Sequence, residues 1–278
     1  MDVKLVDFTL PEAPRFFTES MLESGFAVIT NHNIARDEIS DFYQAWEHFF
    51  VHEKPEEFLA KGEDQAGYFS EEKAETAKGN TAQDLKEYFQ YWPGTKVPPH
   101  LTEITLSFFK KMIDMGLIAM LWLQENTDSS IWHRIDRPFP EYLSQEHTLL
   151  RVLRYPPMKG PIKPGATRAA AHEDINLITM LPAADEPGLE LKSKSTGEWF
   201  PLEAPAGSIV VNIGDMLQEL TDGLLPSTSH RVVNPKPEHI LNSRMTAPVF
   251  CHPHPELVLS ERYSAKDYLS ERLKEINR

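Results

Sequence analysis

The spacing of apolar positions changes character near residue 148. Before that point, long stretches repeat at helical period. Pro11 to Ser24 runs into Gly25, and the apolar run Phe26-Ala27-Val28-Ile29 follows, which predicts helix, glycine stop and buried strand. Ile39, Phe42, Trp46, Phe49 and Phe50 give the segment from Ile34 to Phe50 one aromatic face, and Pro55 suits the first turn of a further helix. The polar stretch Gly62 to Ala82, with Gly67-Tyr68-Phe69 and Gly79-Asn80, reads as a long loop or flap bordering a pocket. A long amphipathic helix is expected from about Thr102 to Glu125.

From Thr148 the chain breaks into short β-type runs separated by turn residues. Expected strands are Leu149 to Tyr155, Ile175 to Met180, Leu189 to Lys192, Trp199 to Leu202, Ser208 to Ile213, His230 to Val233 and Arg244 to Phe250. Thr196-Gly197 and Asp222-Gly223 fall where hairpins would turn. Ser264 to Arg278 reads as a closing helix. About eight strands fit a jelly roll, so the fold class is mainly β with flanking helices, in one domain over 1–278: a mostly helical part to 147, a β core over 148–262 and a helix over 263–278.

The β region carries the chemistry. His172-Glu173-Asp174 on an extended segment sets His172 and Asp174 on one face, because successive side chains alternate, and Glu173 on the other. The stretch onward to His230 is long enough for four strands, so the chain can return His230 to a neighbouring position. Two neutral imidazoles and one carboxylate that leave a side of the metal open suit the Fe(II) of non-haem oxygenases. Arg244-Met245-Thr246 sets Arg244 and Thr246 on one strand face, where a guanidinium fork and a hydroxyl can hold a cosubstrate carboxylate. His252-Pro253-His254 is the competing metal pair. Proline breaks a regular strand, and the segment reads as an exposed loop. Asp215 reads as a turn residue rather than a ligand, and Arg231 receives no role.

Composition narrows the partners. Forty-two acidic against 28 basic residues give a formal charge of −14, which repels nucleic acid backbones and anionic membrane surfaces but leaves room for a local basic pocket. The single cysteine, Cys251, excludes an intrachain disulfide framework and reads as a buried thiol. No run is apolar for long enough to span a bilayer, and the start lacks a secretory pattern, so a cytoplasmic enzyme, by default a monomer, is expected.

Four segments together resemble a known family: His172-Glu173-Asp174-Ile175-Asn176-Leu177-Ile178-Thr179, Asn212-Ile213-Gly214-Asp215-Met216-Leu217, Thr221-Asp222-Gly223 and Ser229-His230-Arg231-Val232-Val233-Asn234. They are similar in order and spacing to the isopenicillin N synthase-like, iron and 2-oxoglutarate-dependent oxygenases, in the style of bacterial members. Gly25-Phe26-Ala27-Val28, Asn31-His32, Phe49-Phe50, Gly67-Tyr68 and Asp84-Leu85-Lys86-Glu87 extend the likeness through the first half.

The resemblance implies a distorted double-stranded β-helix, cupin-like and wrapped by N-terminal helices, with His172, Asp174 and His230 as iron ligands. It implies Fe(II), molecular oxygen and 2-oxoglutarate as cosubstrate, with succinate and carbon dioxide formed as a small organic substrate is oxidised, by default hydroxylated. Tyr155 matches the family tyrosine whose phenol reaches the cosubstrate, and Leu153 stands where many plant members carry Asn. Arg-x-Thr replaces the usual Arg-x-Ser. Asn33 replaces a common glycine and is expected to take left-handed backbone angles. Tyr68, Tyr88 and Tyr91 are the expected substrate contacts. Alternatives left open are an oxidase of the same fold that takes no 2-oxoglutarate, a non-catalytic ligand binder and a zinc hydrolase.

Overall fold

In the computed structural model, which describes residues 3–53, 56–60, 65–71, 84–158 and 166–276, two facing β-sheets hold the centre of the molecule and helices cover the larger one. The helical half supplies more strands than its pattern suggests. Besides β2 (Phe26–Thr30) it contains β1 (Leu5–Asp7), β3 (Gly67–Phe69) and β4 (Glu87–Tyr91). β1 and β2 lie at one edge of the large sheet and β4 and β3 at the other.

Between those edges run β5 (Leu149–Tyr155), β7 (Ile178–Pro182), β10 (Ile209–Ile213) and β13 (Val249–Cys251), in the order β1-β2-β10-β7-β13-β5-β4-β3. β12 (Arg244–Thr246) also pairs with β5. The expected single strand from Arg244 to Phe250 is therefore two strands, split where Pro248 cannot donate to a ladder. The small sheet comprises β6 (Ala169–His172), β11 (His230–Val232), β8 (Leu189–Lys192) and β9 (Trp199–Pro201), ordered β6-β11-β8-β9.

Alternation along each strand sorts side chains between two layers. On the outer face of the large sheet, Val152, Ile178, Met180, Val211 and Val249 pack with the aromatics of the helices in one extensive core. These helices are α1 (Ala13–Ser24), α2 (Arg36–His48) and α3 (Thr102–Asn126). Gly116 lets α3 approach the sheet closely: a Cβ there would meet Cys251 Sγ at 3.1 Å. On the inner face, Phe26, Val28 and Val210 meet Leu189 and Leu191 of the small sheet, and Tyr88, Leu153 and Tyr155 meet Ala169 and Val232.

Three local expectations are corrected. Asp222-Gly223 closes α4 (Asp215–Leu220), a six-residue helix, instead of turning a hairpin. The left-handed residue near the end of β2 is Asn31, at φ 54°, and not Asn33. Asn31 is held there by donating to Asp7 Oδ2 at 2.8 Å. Pro55 lies outside the described residues together with most of Gly62 to Ala82, and the described residues that follow it directly form a short 3-10 turn, over Glu56–Phe58. The closing helix α5 spans Ala265–Ile276.

Candidate metal and oxo-acid site

His172 ends β6 and His230 begins β11, and the two are directly opposed across the small sheet. Asp174 lies two residues on, where the chain leaves β6 for β7. One donor atom from each of these three residues lies within 4.8 Å of the other two, the one such cluster among the described residues. Asp174 Oδ1 stands 3.8 Å from His172 Nε2 and 3.7 Å from His230 Nε2.

Hydrogen bonds around the cluster decide which atoms are free. His172 Nδ1 lies 2.7 Å from the Ala170 carbonyl and His230 Nδ1 3.2 Å from the Thr228 carbonyl. A carbonyl only accepts, so the proton sits on each Nδ1 and the Nε2 lone pairs face one another's carboxylate neighbour. Asp174 Oδ2 accepts from Thr179 Oγ1 at 2.6 Å and Asn212 Nδ2 at 2.8 Å, which leaves Oδ1 turned to the imidazoles. Burial pushes His172 below its ordinary pKa, keeping it neutral as a ligand must be. Burial alone would raise Asp174, but the imidazoles and its two donors hold it below the usual carboxylate range.

The loop that carries Asp174 is fixed by α4. The amides of Asp215 and Met216 donate to the carbonyls of Asp174 and Asn176, at 2.7 and 3.1 Å. Asp215 thus acts through its backbone. Gly214 permits this docking, because a Cβ there would stand 2.1 Å from Asn176 Oδ1. Gly25, at φ 73°, does the same beneath the approach to His230: its Cβ would meet the Pro226 carbonyl at 2.2 Å.

The cluster opens into a cavity between the sheets. Arg244, Thr246 and Tyr155 line it, and Arg244 lies opposite Tyr155 in the β12–β5 ladder. Arg244 is 3% exposed. Its Nε donates to the Glu186 carbonyl at 3.0 Å, while Nη1 is buried with no hydrogen-bond partner. Thr246 Oγ1 makes no hydrogen bond either, the nearby Tyr43 hydroxyl donating instead to the Pro182 carbonyl at 3.1 Å. Buried donors without partners cost free energy, so a charged fork and a hydroxyl left in this state fit an anion placed between them.

The donor set, two nitrogens and a carboxylate oxygen with an open side, fits Fe(II). Residues 146–253 match the family model of the 2OG-Fe(II) oxygenase superfamily. A solved structure of a Shewanella oneidensis protein assigned as an oxygenase is 41% identical, covers 100% of this chain and 99% of its own, and superposes with a TM-score of 0.89. The chain belongs to the 2OG-Fe(II) oxygenase superfamily. A Caulobacter crescentus protein of that family is 28% identical over 99% of both chains, with a TM-score of 0.80. A 2-oxoglutarate-dependent dioxygenase of Didymella fabae is 27% identical over 241 residues, 76% of this chain and 71% of the relative. As a member, the protein is a non-haem iron dioxygenase that uses Fe(II), 2-oxoglutarate and oxygen, built on the double-stranded β-helix. No helix among the described residues is long and apolar enough to cross a membrane.

Of the three tyrosines expected at the substrate, none is among the cavity-lining residues. Tyr68 pairs with Phe89 and Tyr91 with Leu150, which puts both on the helix side of the large sheet. There Tyr68 donates to Glu87 at 2.6 Å, and Tyr91 packs edge-on against Phe109. Only Tyr88, paired with Leu153, faces inward, stacked on Phe69. Sequence reasoning missed Thr179 and Asn212, which hold Asp174, and Arg151, which lines the cavity. The signal for Arg151 is period two: counting back along β5 from Tyr155 gives Leu153 and then Arg151.

His252 also departs from expectation, being 8% exposed with Nδ1 against the Phe250 carbonyl at 3.0 Å. Arg231 ion-pairs with Glu190 at 2.7 Å and covers the Trp199 ring.

Proposed function

We propose that His172, Asp174 and His230 hold the iron, and that Arg244 and Thr246 hold the far carboxylate of 2-oxoglutarate beside Tyr155. The observation that carries this assignment is the shared cavity: three convergent donor atoms and a buried, unpartnered Arg244 Nη1 line the same space. With the metal, oxo acid and oxygen bound, the centre supplies oxidative decarboxylation to succinate and carbon dioxide, coupled to oxidation of the substrate.

This chain's residues do the positioning. Thr179 and Asn212 keep Oδ2 of Asp174 occupied, so that its other oxygen is presented to the metal. The Glu186 carbonyl fixes the Arg244 fork, and the pair of inter-sheet apolar clusters keeps bulk water out. The substrate is a free small organic molecule, and hydroxylation is the outcome expected. A formal charge of −14 supports a small ligand over nucleic acid or an anionic membrane.

Oxygen uptake and succinate formation with Fe(II), measured with and without 2-oxoglutarate, test this function. Succinate must require both, and Asp174→Ala must lose it. Substrate oxidation that continues when the oxo acid is omitted would contradict the assignment.

A further inference from the structure

A second arginine stands behind the oxo-acid end of the cavity. Arg168 immediately precedes β6 and is 1% exposed, yet it is not among the residues that line the cavity. Its guanidinium carbon lies 5.9 Å from the centre of the Tyr155 ring, and that of Arg244 lies 5.4 Å from the same ring. Two buried cations therefore flank one tyrosine.

Neither cation is neutralised. Arg154 pairs with Glu87 and Arg231 with Glu190, whereas no carboxylate among the described residues comes within ion-pair distance of Arg168 or Arg244. The acids of the loop between β7 and β8 are turned to other partners. Asp185 Oδ1 accepts from the Met245 amide at 3.4 Å, Glu186 Oε1 accepts from Asn242 at 2.7 Å, and Glu186 Oε2 lies 2.9 Å from His239 Nδ1. Arg168 Nε, like Arg244 Nη1, is buried with no hydrogen-bond partner. Burial first, and then the charge of Arg244, hold the Arg168 guanidinium below its ordinary pKa. Like charges in a water-poor interior repel, and an anion seated on Arg244 offsets that repulsion.

Hydrogen bonds join the two arginines as well. Arg168 Nη2 donates to the Asn242 carbonyl at 3.0 Å, Asn242 Nδ2 donates to Glu186 Oε1, and the Glu186 carbonyl accepts from Arg244 Nε. The Arg168 amide donates to Asn234 Oδ1 at 3.1 Å, which anchors this relay at the start of the strand that ends in His172.

We propose that Arg168 is a positioning residue for the oxo acid: without touching it, the residue holds Arg244 in place and adds positive potential there, so that a dicarboxylic oxo acid is selected over a monocarboxylic one. The inference deepens the dioxygenase reading and rests on it, since Arg244 must receive the far carboxylate. A residue outside the cavity thereby sets which oxo acid the cavity accepts.

The test is a calorimetric titration of the Mn(II)-loaded protein with 2-oxoglutarate and with 2-oxopentanoate, which carries a methyl group where 2-oxoglutarate has its far carboxylate. Wild-type protein is expected to prefer 2-oxoglutarate by at least about 100-fold. Arg168→Gln should lower that ratio about tenfold by weakening 2-oxoglutarate alone, and Arg168→Lys, which keeps the charge, should hold it within about threefold of wild type. Unaltered 2-oxopentanoate affinity shows that a variant keeps its fold and metal site. A ratio in Arg168→Gln within about twofold of wild type, an equal loss of affinity for both oxo acids, or a loss in Arg168→Lys as large as in Arg168→Gln would overturn the proposal. Should Arg168→Gln fail to fold, Asn242→Ala changes an exposed side chain and cuts the relay at Glu186. It is expected to lower the ratio about threefold, and an unchanged ratio overturns the proposal. Arg244→Gln keeps the two readings apart. If that variant leaves the ratio at its wild-type value, the assignment of Arg244 to the far carboxylate falls; if it abolishes the ratio while Arg168→Gln does not move it, only the role of Arg168 falls.

Discussion

Two arginines in one cavity are held in opposite ways. Arg244 is 3% exposed, tied through Nε to a backbone carbonyl, and retains a buried donor with no partner. Arg151 is only half-buried, tied to a side-chain amide and set between two aromatic rings. The first arrangement suits a ligand that never varies, because backbone and a closed pocket fix its geometry. The second is built from side chains, which substitution can retune without disturbing the sheets. The two ends of a single β-helix cavity thus differ in how their charges are supported.

Variants at each end can break or sharpen that contrast. Arg244→Gln removes a buried charged fork and is expected to raise the KM for 2-oxoglutarate by about 100-fold, read from succinate formation. A change below about fivefold would place the cosubstrate elsewhere. Arg151→Gln, at the other end of the cavity, should leave that KM within about twofold. Thr246→Ala removes one hydroxyl donor at the cosubstrate end, and a rise of about five- to tenfold in the same KM is expected. The smallest effects should come from Tyr91→Phe and Tyr68→Phe. Both side chains sit on the helix face of the sheet, so 2-oxoglutarate kinetics should stay within about twofold while Tyr68→Phe lowers stability by about 1 kcal/mol through its lost bond to Glu87.

A further prediction concerns acid stability. Burial lowers the His252 pKa to about 4 from 6.5. Below pH 6.5 the unfolded chain takes up a proton there that the folded chain refuses. Stability from this group is therefore complete above pH 6.5 and is lost as the pH falls towards 4, by about 3 kcal/mol in all. Denaturant titration of His252→Gln against the parent protein should show a flatter decline over that window; parallel curves would contradict it.

The metal cluster was legible because its residues carry their chemistry in their identity and their strand parity in their spacing. That Arg244 and Thr246 face one space together was legible for the same reason. The tyrosines were not, because β4 is buried on both faces and hydrophobicity alone cannot say which parity looks inward. That choice belongs to the ladder, which sets Tyr88 against Leu153 and Tyr91 against Leu150. α4 escaped notice because six residues are too few to display a helical period. Its function, presenting amides to the Asp174 loop, depends on Gly214 making room at a contact remote in sequence. Asn31 rather than Asn33 takes the left-handed angle because a partner on β1, Asp7, captures its side chain.

The most direct test is an anaerobic crystal structure with Fe(II) and 2-oxoglutarate. The account predicts metal bound by His172 Nε2, Asp174 Oδ1 and His230 Nε2, with the far carboxylate of the oxo acid on Arg244 Nη1. Metal coordinated by a different set, or that carboxylate seated on Arg151 instead, would contradict it.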